Sequence, residues 1–227
     1  MKNFTQLCWV NLAFIVAMGM VPICGFGQNS DSIKSKKVSI GFNYSGDYSY
    51  RSLKATDSYR DIVEMYDSLE HAKYGSTFGI SGIYSISDKF SVSIGLLFAD
   101  KGEKTKVLQG ANTYSFKRYY YFLDIPIKVD YFFHKQSFYA TVGVSPNIFL
   151  SSAVKDLEEN TKERDNSKFN TVNLSCLGGI GVSQQLSESW KFRSEIVYRR
   201  SVQPIMDSPI KRNLFSVGLN VGFVYKL

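Results

Sequence analysis

The chain has 227 residues, a formal charge of +7, 15% aromatic residues, five prolines and three cysteines. That length suits one all-β domain or two small ones. Its Lys and Arg are interspersed with Asp and Glu in no long basic block, which argues against a nucleic-acid partner.

The N-terminus, MKNFTQLCWVNLAFIVAMGMVPICGFGQNS, places Lys2 before an apolar run from Leu7 to Ile23, with Gly25 and Gly27 ahead of Gln28. A basic start, an apolar centre and a small-residue exit predict a cleaved signal peptide over 1–27. A short periplasmic segment over 28–37 and one domain over 38–227 would follow. A lipoprotein signal at Cys24 fits less well, because bulky Ile23 precedes it, and Pro22 with the glycines ends the run too early for an anchor helix. Cys8 and Cys24 would leave with the signal, so Cys176 would have no intramolecular disulfide partner.

From residue 38 a two-residue period recurs. VSIGFNYSG puts Val38, Ile40, Phe42 and Tyr44 on one face and Ser39, Gly41, Asn43 and Ser45 on the other. YRDIVEMYDSLEHA (59–72) instead places Tyr59, Ile62, Val63, Tyr66 and Leu69 at helical spacing among acids, predicting a short amphipathic helix in a long connection. That helix either caps the domain or presents a docking surface for a partner. Alternation returns in FGISGIYSI, FSVSIGLLF, YFLDIPIKVDYF, FYATVGVSPNIFL, VNLSCLGGIGVS, WKFRSEIVYR and the terminal NLFSVGLNVGFVYKL.

The connections predicted around 87–89, 134–137 and 187–189 are tight, while those over 47–74, 101–116, 152–170 and 201–212 are long. Alternating short and long connections suit an up-and-down barrel with both termini on the periplasmic side, not a Greek-key sandwich. The expected fold is therefore an all-β, eight-stranded antiparallel up-and-down transmembrane β-barrel with a polar, side-chain-filled lumen.

A soluble barrel would turn the apolar face inward. Strands of about ten residues or more, aromatics at their ends (Tyr119–Tyr121, Tyr131–Phe133, Trp190, Tyr198) and small residues on the polar face all favour lipid outside. The polar face collects Asp124, Lys128, Asp130, Lys191, Arg193, Glu195, Arg199 and Lys226. Sealed in a narrow lumen, these charges must pair. Structural packing is the plain reading of that network, and an ion path or ligand site the sharper one.

The segment YYYFLDIPIKVDYFF (119–133), through Tyr121, Leu123, Asp124, Ile125, Pro126, Ile127 and Lys128, and GLLFADKGEK (95–104) give the chain its resemblance to a known family. Over residues 38–227 it resembles the PorT-like outer-membrane β-barrel family of Bacteroidetes. The resemblance implies an eight-stranded barrel in a Gram-negative outer membrane. The family's namesake is linked to protein secretion and assembly of surface proteins, but no functional residue of that role maps onto this chain.

His71 and His134 are expected at opposite ends of the barrel, too far apart for a nucleophile–His–acid arrangement. The expectation is a non-enzyme without cofactor or metal: a monomeric barrel in outer-membrane lipid, acting as a structural or interaction scaffold through its extracellular loops. The alternative is an accessory component of a secretion or surface-assembly system, meeting envelope proteins through the same loops.

Overall fold

The computed structural model describes residues 37–109, 112–134, 137–156, 162–163 and 169–227. The expected signal peptide and all but the last residue of the segment 28–37 lie outside the described residues, as do 135–136 of the second tight turn and most of the charged stretch after Asp156.

The elements in chain order are β1 (Val38–Lys54), a 3-10 turn (Asp57–Tyr59), α1 (Arg60–Leu69), β2 (Glu70–Ser85), β3 (Phe90–Gln109), β4 (Asn112–Asp124), β5 (Ile127–His134), β6 (Phe138–Asp156), β7 (Lys162–Glu163), β8 (Val172–Gln185), β9 (Trp190–Ser201) and β10 (Lys211–Lys226). The sequence pattern predicts eight strands, and the described residues form ten. One extra arises because YFLDIPIKVDYF is split at Ile125–Pro126. Proline has no N–H for the ladder and is tolerated only at such breaks. Both halves still pair with β3 and β6. The break is bridged by the Gly95 N–H donating to Pro126 C=O and the Ile125 N–H to Pro146 C=O, at 2.9 and 2.8 Å. The other extra strand is β7, a two-residue pairing on β6.

All pairings are antiparallel, and every strand except β7 is bonded on both edges. The first strand meets the last, from Ser39 opposite Lys226 to Lys54 opposite Lys211. Sheet faces are sorted in the reverse of a water-soluble domain. Phe42, Ile80, Val142, Ile180 and Ile196 are 56–66% exposed, whereas Asp47, Glu103 and Asp130 are 0% exposed.

The long connections are much shorter than the sequence suggests. β1 continues to Lys54, β3 to Gln109 and β6 to Asp156, and β2, β4 and β10 start at Glu70, Asn112 and Lys211. Several charges that read as loop residues, Arg51, Glu70, Lys101, Glu103 and Arg212 among them, occupy the enclosed face of these extensions, where they meet opposite charge instead of water. His71 is accordingly the second residue of β2, not a loop residue. At this end an apolar cluster of Ala99, Tyr120, Phe122, Ile205 and Leu214, with Phe149, Phe169 and Met206 packed on it, fills the enclosed space. The Phe149 and Phe169 rings stack at 4.5 Å, and the Asn170 N–H donates to Ile205 C=O at 2.9 Å.

Candidate functional site

The enclosed face carries two groups of charges. The first lies along the middle of the strands and toward the tight turns. Arg193 on β9 meets Asp130 on β5 at 2.8 Å, and Lys128 on β5 meets Glu195 on β9 at 3.3 Å. Since β6 and β8 separate β5 from β9 in the sheet, these pairs reach across the enclosed space. The Arg193 guanidinium also lies over the Tyr139 ring at 4.1 Å, a favourable cation–π geometry. Room for that ring comes from Gly181, where a Cβ would stand 2.6 Å from Tyr139 Cζ.

Nearer the middle, Arg199 on β9 bonds Asp47 on β1 at 2.8 Å, crossing over β10. Asp47 also accepts from Ser45 at 2.7 Å and from Thr77 at 2.5 Å. Gly218 of β10 makes the crossing possible, because a Cβ there would meet Asp47 Oδ1 at 1.9 Å. Asp124 accepts from Lys101 at 2.8 Å and from Asn147 at 2.6 Å, and Ser175 donates to Asn147. Four cations thus face four acids, each in a charge-assisted bond.

The second group lies toward the long connections and forms one connected network. Arg51 bonds Glu70 at 2.6 Å and also Asp67 of α1. Arg212 bonds Glu70 at 3.3 Å and Glu103 as well. Arg118 approaches Glu103 at 3.4 Å, and the Tyr120 hydroxyl donates to Glu103 at 2.7 Å. Three guanidiniums share three carboxylates, and Glu70 and Glu103 each have more than one cationic neighbour.

Of the charges picked out from sequence, Asp124, Lys128, Asp130, Arg193, Glu195 and Arg199 occupy the first group. Lys191 and Lys226 lie half-buried, and Lys191 has both Lys226 and Arg193 as like-charged neighbours. Asp47, Lys101 and the charges of the second group were not assigned to this face from sequence, and Tyr120, expected among the lipid-side aromatics, is instead fully buried against Glu103. A signal for them exists: Asp47, Ser49 and Arg51 continue the spacing of Ser39 to Ser45, and Lys101 and Glu103 continue that of Ser91 to Ala99. In α1 and the turn before it, Tyr59 and Ile62 are exposed and Val63, Tyr66 and Leu69 half-buried; Met65, which the helical spacing did not single out, is 49% exposed. The enclosed space is covered by Phe169, Ile205 and Met206, while α1 reaches the network through Asp67.

Among the described residues no group of three or more His, Cys, Asp or Glu is placed to hold a metal ion. What the arrangement does chemically is neutralise itself: each buried acid named above is met by a cation.

Residues 23–223 match the family model described as outer membrane protein beta-barrel domain. No curated protein is similar enough in sequence to count as a relative. Among solved structures, Neisserial surface protein A is 14% identical, with 84% of this chain and 97% of that one covered at a TM-score of 0.44. Ail of Yersinia pestis is 11% identical, with 84% and 99% covered at 0.42. OprG of Pseudomonas aeruginosa is 15% identical, with 86% and 99% covered at 0.41. With most of its length matched by the family model, the chain belongs to the outer membrane protein beta-barrel domain family and is an outer-membrane protein of a Gram-negative bacterium.

Proposed function

We propose that residues 38–227 form a closed, eight-stranded, monomeric barrel, exported by a signal peptide cleaved after Gly27, and that this barrel is a scaffold presenting a partner-binding surface outside the cell. Counting β4 and β5 as one interrupted strand and leaving out β7 gives eight, and the β1–β10 pairing supports closure. The observation that carries the reading is the inverted sidedness: exposed apolar side chains around paired, buried charges. Lipid is the solvent in which that arrangement is stable. The paired interior and the apolar cluster over it favour a side-chain-filled lumen over a conducting one.

The partner surface is assigned to α1 and the 3-10 turn, where Tyr59, Ile62 and Met65 are 36%, 38% and 49% exposed. A cold-versus-boiled gel of detergent-extracted envelopes tests the barrel, and a heat-dependent mobility shift is expected. A photocrosslinker at Met65 in intact cells tests the surface. A discrete adduct absent when the crosslinker sits at Lys89, in the opposite turn, is expected; identical patterns from both positions would overturn the assignment.

An accessory role in secretion or surface assembly rests on the resemblance through Tyr121 to Lys128. In that motif Asp124 and Lys128 point into the ion pairs and Pro126 marks the strand break. A secretion partner would therefore be met through other surfaces. Crosslinking in native envelopes that returns only the monomer would count against this second reading.

A further inference from the structure

Three lysines stand directly opposite one another across three neighbouring strands. Lys104 of β3 faces Lys117 of β4, and Lys117 faces Lys155 of β6. His71 of β2 extends the row on the other side of Lys104. Like charges in direct cross-strand register destabilise a sheet, so the row needs a reason. Among the described residues, the acids nearest the row in sequence are placed as follows: Asp100 bonds Lys73 at 2.6 Å, Glu103 is turned inward onto Tyr120 and Arg212, Asp156 alternates to the opposite face from Lys155, and Glu163 of β7 stands opposite Val154. Lys106, two residues beyond Lys104 on the same face, adds a further cation, and β7 brings Lys162 into register with Lys155. The Lys104 ammonium lies beyond the apolar band, and its pKa is held below the usual lysine value by burial and by the charges of Lys106 and Lys117.

The position of the row is as informative as its charge. One step down the same face are Gly102, Tyr119 and Ala153, themselves in register. Tyr119 stacks on Tyr121 at 6.1 Å, and Tyr121 on Phe98 at 5.8 Å, leading into the exposed apolar face. The lysines therefore sit about 7 Å beyond an aromatic girdle, where headgroups of a membrane leaflet lie. Lysine stems run along apolar surface while the ammonium groups reach outward.

We propose that Lys104, Lys117 and Lys155, with Lys106, bind the phosphate group of an anionic lipid whose acyl chains lie along the apolar face below Tyr119 and Phe98. This rests on the membrane reading above. A lipid fits better than a soluble polyanion because the cationic row is continuous with the apolar face through the girdle. Phosphate would relieve the mutual repulsion that the bare sheet leaves in place, and anionic headgroups attract such clusters strongly.

The test uses the full mature chain in a neutral detergent, checked for the heat-dependent gel shift, with native mass spectrometry of retained lipid. The probes are phosphatidic acid and phosphatidylcholine of identical acyl chains. Wild type is expected to retain phosphatidic acid about ten-fold better. The K104Q/K117Q/K155Q variant is expected to lose that preference, keep the gel shift and, its repulsion removed, unfold at no lower denaturant concentration without lipid. If the triple variant fails to fold, K117Q, at the centre of the row, serves with about a three-fold loss. Equal retention of both lipids by heat-shifting wild type, or an undiminished preference in a folded variant, overturns the lipid assignment alone. Displacement of the lipid by millimolar inorganic phosphate, or preferential capture of a sulfated polysaccharide, reassigns the row to a soluble anion and overturns it as well. A wild-type chain without any heat shift overturns the membrane reading and the lipid site with it.

Discussion

The two ends of the enclosed space solve one electrostatic problem differently. Toward the tight turns, charges pair one to one: Arg193 with Asp130, and Lys128 with Glu195. Toward the long connections, Arg51, Arg118 and Arg212 share Glu70, Glu103 and Asp67, with Tyr120 drawn in. Removing one member of a pair leaves one orphan. Removing a member of the network unbalances several groups, because each polarises and positions the others. The difference teaches where the fold tolerates change: the paired end is modular, and the networked end responds as a unit.

Arg212→Ala should be the most damaging single change, since it takes a cation from both Glu70 and Glu103 at once and leaves them to Arg51 and Arg118. A loss at the upper end of about 3–5 kcal/mol is expected, read as the urea midpoint of the folded, heat-shifting form. A cost no greater than that of Arg193→Ala would break the comparison. Arg193→Ala should cost somewhat less, about 3 kcal/mol, and adding Asp130→Asn should restore part of it, with a coupling of about 0.5–3 kcal/mol. The same kind of rescue should fail at the networked end, where Arg212→Ala with Glu103→Gln still leaves Glu70 short of a partner. Additivity at both ends in double-mutant cycles would contradict this contrast.

Gly218→Val probes the joint between the two regions. A side chain there collides with the Asp47–Arg199 pair, and overpacking of this kind costs about 1–3 kcal/mol; Gly46→Val, at a position with open space around a Cβ, is the control expected to cost less. The smallest effect belongs to Asp67→Asn. The Asp67 side chain is 57% exposed, so water screens its pairing with Arg51 and about 1 kcal/mol or less is at stake. Loosening of α1, measured as faster amide hydrogen exchange over residues 60–69, should be its main signature.

Legibility in the sequence follows the same division. Asp130, Arg193, Lys128 and Glu195 are interleaved with Tyr131, Phe192, Val129 and Ile196, so alternation with bulky apolar neighbours betrayed both strand and face. Farther along, Asp47 to Arg51 and Lys101 to Glu103 keep the two-residue rhythm, but the outward positions become polar or charged as well, as at Asp100 and Lys104. Once both faces are polar the pattern no longer contrasts, and extended strand reads as loop. Partners such as Arg212 and Glu103 lie 109 residues apart, on strands that β1 and β2 separate in the sheet, so they meet only across the enclosed space. The break at Pro126 was written in the residue itself, since proline cannot complete an interior ladder. The packing of Ile205 and Phe169 over the interior left no periodic trace, because both lie in irregular backbone.

The pairing of β1 with β10 also has a consequence in time. Among the described strands β1 comes first in the chain, and the partner of one of its bonding edges, residues 211–226, comes last. Until then that edge is an open template for a foreign strand, and joining the ends requires closing nearly the whole chain as a single loop, the slowest kind of contact to make. Loss of the final strand should therefore leave no stable smaller barrel behind. It should leave a chain held waiting, dependent on chaperones for as long as its first edge stays open.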